Sequence, residues 1–128
     1  MTKEDIIKYA RETIGTPIIP QGRLCGIGLD CIGLIKYIAD KGGYALPDYN
    51  HYSCRDSLML STLMDKHFKK TCHLSIANII SFQLYSTCHL GIYAGDTMIH
   101  SGKSVIAEVN FDTPWMSKVD AMYNWRGV

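Results

Sequence analysis

The chain has 128 residues, 47% of them hydrophobic and 20% charged, with a formal net charge of +1. That length and composition predict one domain, residues 1–128, with one core, and argue against intrinsic disorder. The near-neutral charge, with Lys69-Lys70 as the one adjacent basic pair, argues against nucleic-acid binding. The five cysteines, at 25, 31, 54, 72 and 88, form neither a paired disulfide framework nor a C-x-x-C pattern, and are expected to be reduced. No apolar run reaches the roughly 18 residues of a membrane span. The opening Met-Thr-Lys-Glu-Asp lacks the basic and apolar regions of a signal peptide. The expectation is synthesis in the cytoplasm without an address of its own.

Thr2 with Asp5 resembles a capping box, and Ile6, Ile7, Ala10 and Ile14 then recur at helical spacing until Gly15 and Pro17. The proline- and glycine-rich segment 16–29 reads as a surface loop. From Asp30 the pattern changes. Cys31, Leu34, Ile35, Ile38 and Ala39 make an apolar stripe closed by Gly42-Gly43, which predicts a well-buried helix with Asp30 at its N-cap. A tyrosine-bearing connection (44–54) leads to a third helix, carrying Leu58, Leu60, Leu63, Met64 and Phe68 and ending near Lys69-Lys70. Short runs at 78–84, 88–93, 97–100, 105–109 and 121–125 then read as an antiparallel meander. Helices followed by strands predict an α+β fold, N-terminal helices packed on a C-terminal antiparallel sheet of about five strands.

Cys31 falls in the first turn of the central helix, where unpaired N–H groups and the helix dipole favour a thiolate. A nucleophile there needs a base. Gly95-Asp96 signals a two-residue hairpin turn, and with Ala94 opposite Thr97 the register puts Tyr93 opposite Met98, Ile92 opposite Ile99 and Gly91 opposite His100. His89, Gly91, Tyr93, Met98 and His100 then share one sheet face, and Leu90, Ile92 and Ile99 the other. The two histidines become diagonal neighbours, close enough for one imidazole to orient the other. Gly91 is expected to leave room for a helix end to approach that face. Cys31, His89 and His100 can thus serve as nucleophile, base and orienter. Adjacent Cys-His pairs (Cys72-His73, Cys88-His89) do not match zinc-ligand spacing, and no metal or cofactor is expected.

The blocks Leu29-Asp30-Cys31-Ile32-Gly33-Leu34-Ile35 and His89-Leu90-Gly91-Ile92-Tyr93, with the downstream His100, resemble the signature of NlpC-type cell-wall cysteine peptidases. These are papain-like enzymes that cut peptidoglycan stem peptides. Gly15-Thr16-Pro17, Gln21-Gly22-Arg23 and Tyr123-Asn124-Trp125-Arg126 extend the resemblance over nearly the whole chain. It implies a papain-like core, Cys31 as nucleophile, His89 as general base and His100 as orienting residue. The implied substrate is a stem peptide, cut at the γ-D-glutamyl to diamino acid bond through an acyl-thioester. The Gln-Gly-Arg element and short length look most like the prophage and gene-transfer-agent branch. That implies phage-tail or gene-transfer-agent partners and delivery to the periplasm or cell wall by a particle. Two departures stand out. Ile18 occupies the place of a family tyrosine, so an oxyanion or substrate role passes to Gln21, Asp30, Tyr52 or the Cys31 N–H. Ile32 replaces a small residue and is expected to narrow the cleft. Competing readings are a weak or inactive structural tail protein retaining the fold, and an amidase or transacylase using the same triad.

Overall fold

The computed structural model describes residues 1–53, 56–84 and 87–128, for 87 and 88 the backbone only. Helix α1 (Lys3–Glu12) opens with the expected capping box. Thr2 Oγ1 accepts from Asp5 N–H at 3.1 Å, and Asp5 Oδ2 accepts from Thr2 N–H at 2.9 Å. The segment 16–29 is not wholly irregular. It carries a small hairpin, β1 (Arg23–Leu24) and β2 (Gly28–Leu29), whose tight turn uses Gly26 at φ +83°. Helix α2 (Cys31–Gly42) follows, capped by Asp30, whose Oδ1 accepts from Gly33 N–H at 2.7 Å, and closed by Gly43 at φ +70°. Its Leu34, Ile35, Ile38 and Ala39 are buried, as the stripe requires.

Helix α3 (Ser57–His67) stops earlier than expected. Phe68 is extended and buried, and Lys69–Thr71 forms strand β3, which pairs with Met122–Asn124. The two lysines therefore lie on a sheet edge, where charge protects unpaired backbone groups, and do not end a helix. Strands β4 (Ile79–Leu84), β5 (Thr87–Tyr93), β6 (Thr97–Ser101) and β7 (Ile106–Asn110) form the expected meander. A one-turn helix α4 (Thr113–Met116) then carries the chain to β8 (Val119–Asn124). Strand β8 pairs with β4, not β7, and the sheet has six antiparallel strands in the order β3-β8-β4-β5-β6-β7. Cys54, the last residue of the expected connection 44–54, and the side chain of Cys88 lie outside the described residues. No disulfide joins Cys25, Cys31 and Cys72 among the described residues.

The alternation of side chains divides two cores. Ile79, Leu90, Ile92, Ile99 and Ile106 pack against α1 and α2, while Ile80, Phe82 and Met98 pack on the other face with Val109, Phe111, Trp115 and Val119. The β5–β6 register is Gly91 to His100, Ile92 to Ile99 and Tyr93 to Met98, around a turn with Gly95 at φ +107°. Both histidines thus lie on the face away from α2. The expectation that Gly91 makes room for a helix end is overturned: a β-carbon there would sit 3.4 Å from His100 Cβ and from Met98 Sδ. The missing side chain gives its space to the neighbouring strand.

A close backbone approach joins α2 to the loop before it. A β-carbon on Gly33 would lie 2.2 Å from the Gly22 carbonyl oxygen, and one on Gly22 would lie 2.5 Å from the Gly28 carbonyl. Helix propensity alone favours Gly33→Ala by about 1 kcal/mol. The clash is with backbone, which has no rotamer to yield, and overpacking of this kind costs about 1–3 kcal/mol. Gly33→Ala is therefore expected to lower the urea midpoint. A raised midpoint would show that the Gly22 loop does not press on α2.

Candidate active site

Cys31 opens α2 and is 8% exposed. Its position is set by Asp30, both of whose carboxylate oxygens are fully engaged. Oδ1 accepts from Gly33 N–H at 2.7 Å and Arg23 Nη1 at 3.1 Å; Oδ2 accepts from Gln21 N–H at 2.7 Å and from the Tyr52 hydroxyl. Burial and the Asp30 hydrogen bond hold the Tyr52 hydroxyl protonated, well above the usual phenol range. Arg23 continues the network through Nε to Asp48 at 2.8 Å and through Nη2 to the Tyr49 carbonyl at 2.6 Å and Tyr52 Oη at 3.0 Å. Gln21, at φ +59°, closes it. Its Nε2 donates to the Tyr52 carbonyl at 3.1 Å, and its Oε1 accepts from His51 N–H at 2.7 Å. A charge-assisted frame thus pins the start of α2 to two loops.

The histidines meet as the register requires. His89 Nε2 and His100 Nδ1 are 2.7 Å apart, with the rings edge to face. Burial, and secondarily the His100 charge, pushes the His89 pKa down to about 4, and burial lowers His100 as well. Both rings are therefore neutral at neutral pH. Trp115 covers them: its ring stacks on His89 at 5.8 Å, meets His100 edge-on at 5.0 Å and meets Phe82 at 5.3 Å. Read from sequence alone, Trp115 is a core or edge packing residue. The available signal was local, since Asp112-Thr113-Pro114 ahead of it reads as a helix start with proline in the first turn.

Two cavities result. One, of about 150 Å³, is lined by Ile18, Pro20, Gln21, Asp30, Cys31, Tyr52 and Ser101. Its neighbour, of about 310 Å³, is lined by His89, His100, Trp115, Leu84, Ser101, Gly102 and Lys103. Ser101, at the end of β6, lines both, so the thiol cavity and the imidazole cavity adjoin at that residue. The six residues singled out from sequence thus divide into Gln21, Asp30, Cys31 and Tyr52 on one side and His89 and His100 on the other. Ile18 lines the thiol cavity, whereas Ile32 is buried in the core and does not narrow it. His67, a basic residue in the last turn of α3 where a solvated cap would be expected, meets the Tyr49 hydroxyl at 2.6 Å. Among the described residues no three His, Cys, Asp or Glu side chains form a metal site.

No protein-family model and no curated protein matches the chain. Solved structures do. An NLP/P60-family lipoprotein-like protein from Staphylococcus aureus subsp. aureus Mu50 superposes with a TM-score of 0.73 at 19% identity, over 96% of this chain and 41% of that one. The chain spans less than half of that protein's length. The NlpC/p60 domain of the peptidoglycan hydrolase SagA gives 0.71 at 16% identity, over 97% of this chain and 99% of the domain. RipD from Mycobacterium tuberculosis, described as a non-catalytic NlpC/p60 domain protein adapted to peptidoglycan binding, gives 0.67 at 19% identity, over 98% and 97%. The chain has the papain-like α+β fold of NlpC/p60 domains.

Proposed function

We propose that this chain is a cysteine peptidase of the NlpC type that cleaves peptidoglycan stem peptides, at the γ-D-glutamyl to diamino acid amide. The observation that carries the reading is the 2.7 Å bond between His89 Nε2 and His100 Nδ1, beside a cavity that meets that of Cys31 at Ser101. With His89 Nε2–H donating to His100 Nδ1, the His89 proton is held on Nε2 and Nδ1 keeps its lone pair. Cys31 Sγ then attacks the amide carbonyl carbon as its proton passes to His89 Nδ1. The carbonyl oxygen becomes an oxyanion, held by the Cys31 N–H at the α2 N-terminus. The imidazolium returns the proton to the amide nitrogen as the C–N bond breaks, which releases an amine and leaves an acyl-thioester. Water, deprotonated by His89, attacks the thioester and regenerates the thiol. Delivery to the wall by a phage tail or gene-transfer agent is the finer part of the reading, and rests on the Gln21-Gly22-Arg23 element.

A second reading has specific support. Cys31 and the histidines line separate cavities, Ile18 stands where the resemblance calls for tyrosine, and one similar structure is described as non-catalytic. On this reading the chain binds wall peptide or serves as a structural tail component without cutting. Alkylation by iodoacetamide between pH 5 and 8, read at each cysteine by peptide mass spectrometry, separates the two. Exposure alone orders the thiols Cys25 and Cys72 ahead of buried Cys31. An activated Cys31 is expected to invert that order, with the inversion lost in His89→Ala. Slower labelling of Cys31 than of Cys25 and Cys72 in the wild type would move the assignment to the non-catalytic reading.

A further inference from the structure

The cavity beside the histidines carries a charge that the chemistry of the triad does not use. Lys103 is the one permanently charged side chain among its described lining residues, no carboxylate faces it there, and both histidines are neutral at neutral pH. Among the described residues Lys103 forms no ion pair. Its backbone is nevertheless fixed. Gly102 N–H donates to the Val105 carbonyl at 3.0 Å across a two-residue turn, and the Ser104 carbonyl accepts from Ile18 N–H at 2.9 Å, so the turn is tied to the wall of the thiol cavity. A β-carbon on Gly102 would lie 2.9 Å from the Val105 carbonyl, which keeps this corner tight. A second cation, Lys118, has its Nζ 5.7 Å from the centre of the ring of Trp115, which lines the cavity.

We propose that this cavity is a leaving-group subsite for a carboxylate, with Lys103 as its counter-charge. The inference rests on the peptidase reading and deepens it. The imidazolium of His89 must protonate the departing nitrogen, so the amine half of the substrate lies against the histidines while the acyl half lies over Cys31. The residue beyond the scissile bond therefore enters the cavity of Lys103 and Trp115. Its chemical class is an amino acid with a free carboxylate a few bonds from the leaving nitrogen. An exposed lysine gives a modest gain, because water screens the pair. Its value is selectivity between an acid and its neutral amide.

The test uses two synthetic peptides, alanyl-γ-D-glutamyl-lysine and its C-terminal carboxamide, with the wild type, Lys103→Met and Lys103→Arg. The wild type is expected to prefer the acid about three- to ten-fold in kcat/KM. Lys103→Met should bring the ratio near one, and Lys103→Arg should restore it. In parallel, lysine and lysinamide are titrated against the amide resonances of Gly102 and Lys103 and the indole N–H of Trp115. Saturable shifts with lysine, at least three-fold weaker with lysinamide and lost in Lys103→Met, support the subsite whether or not a peptide is cut. Cleavage without discrimination, or titrations unchanged by Lys103→Met, overturns the subsite and leaves the peptidase reading standing. Discriminating titrations with neither peptide cut keep the subsite and overturn the peptidase reading.

Discussion

Cys31→Ala is expected to abolish wall-peptide cleavage, His89→Ala to reduce kcat on the order of 10³–10⁴-fold, and His100→Ala to reduce it about 10–100-fold. The order follows from the separate work of the three groups. Sγ forms the bond to carbon, so no other side chain replaces it. His89 Nδ1 takes and returns the proton at each half of the reaction, and without it the thiol must ionise unaided. His100 exchanges no proton with substrate or sulfur in this scheme; through the 2.7 Å bond, with His89 Nε2–H as donor, it would hold the His89 proton on Nε2 and keep Nδ1 basic. Alanine at 100 still allows the correct tautomer for part of the time, which makes the loss smaller. Digestion of purified stem peptides, with products resolved by mass, gives all three values and identifies the bond cut. Equal losses at 89 and 100 would show that the histidines act as one unit or exchange roles, and full activity in Cys31→Ala would remove the thiol from the mechanism. Urea midpoints of the variants separate loss of chemistry from loss of fold.

The hairpin register was legible because it depends on one local signal. Gly95-Asp96 sets the turn, and a period of two then determines which residues share a face. The same logic could not say what lies above that face. Its cover is Trp115, delivered by a four-residue helix too short to leave a periodic signature. The face chosen by α2 was also hidden, since Leu90, Ile92 and Ile99 attract the helix stripe while the histidines point away. Nor could spacing show that Asp30 spends every acceptor position within the protein. Gln21-Gly22-Arg23 reads from sequence as a family element in which only Gln21 is offered a role, at the oxyanion or substrate. In the fold its glycine lets the loop backbone touch α2, and its other two residues brace the start of the helix. Strand β3, and the pairing of the expected last strand β8 with β3 and β4, escaped because they depend on segments far apart in the chain meeting across the sheet, a long-range choice that a local reading does not contain.

The burial that keeps the histidines neutral should also make the fold sensitive to acid. The folded-state pKa of His89 is pushed from 6.5 to about 4 by burial and by His100, and that of His100 is lowered by burial. Between those limits the unfolded chain takes up protons that the folded chain refuses, so stability rises with pH there. The contribution is complete above about pH 6.5 and is lost as the pH falls towards 4. For His89 alone it amounts to about 3 kcal/mol, since each pH unit between the unfolded and folded values is worth about 1.4 kcal/mol. That is a large share of the roughly 5–15 kcal/mol typical of a domain. Urea unfolding of the wild type is therefore expected to show a falling midpoint from pH 6.5 to 5. Over that range Glu12 and Glu108 are still ionised, since hydrogen bonds from Tyr37 and Arg11 respectively lower their pKa values. His67, also lowered by burial, contributes in the same window, so the discriminating variant is His89→Leu, an apolar replacement for a ring packed between Phe82 and Trp115. It should keep much more of its stability on acidification. Parallel losses in wild type and variant would show that His89 is not held neutral by the fold. In the expected case, the wall that weakens the fold in acid is the one that supplies a free base at neutral pH.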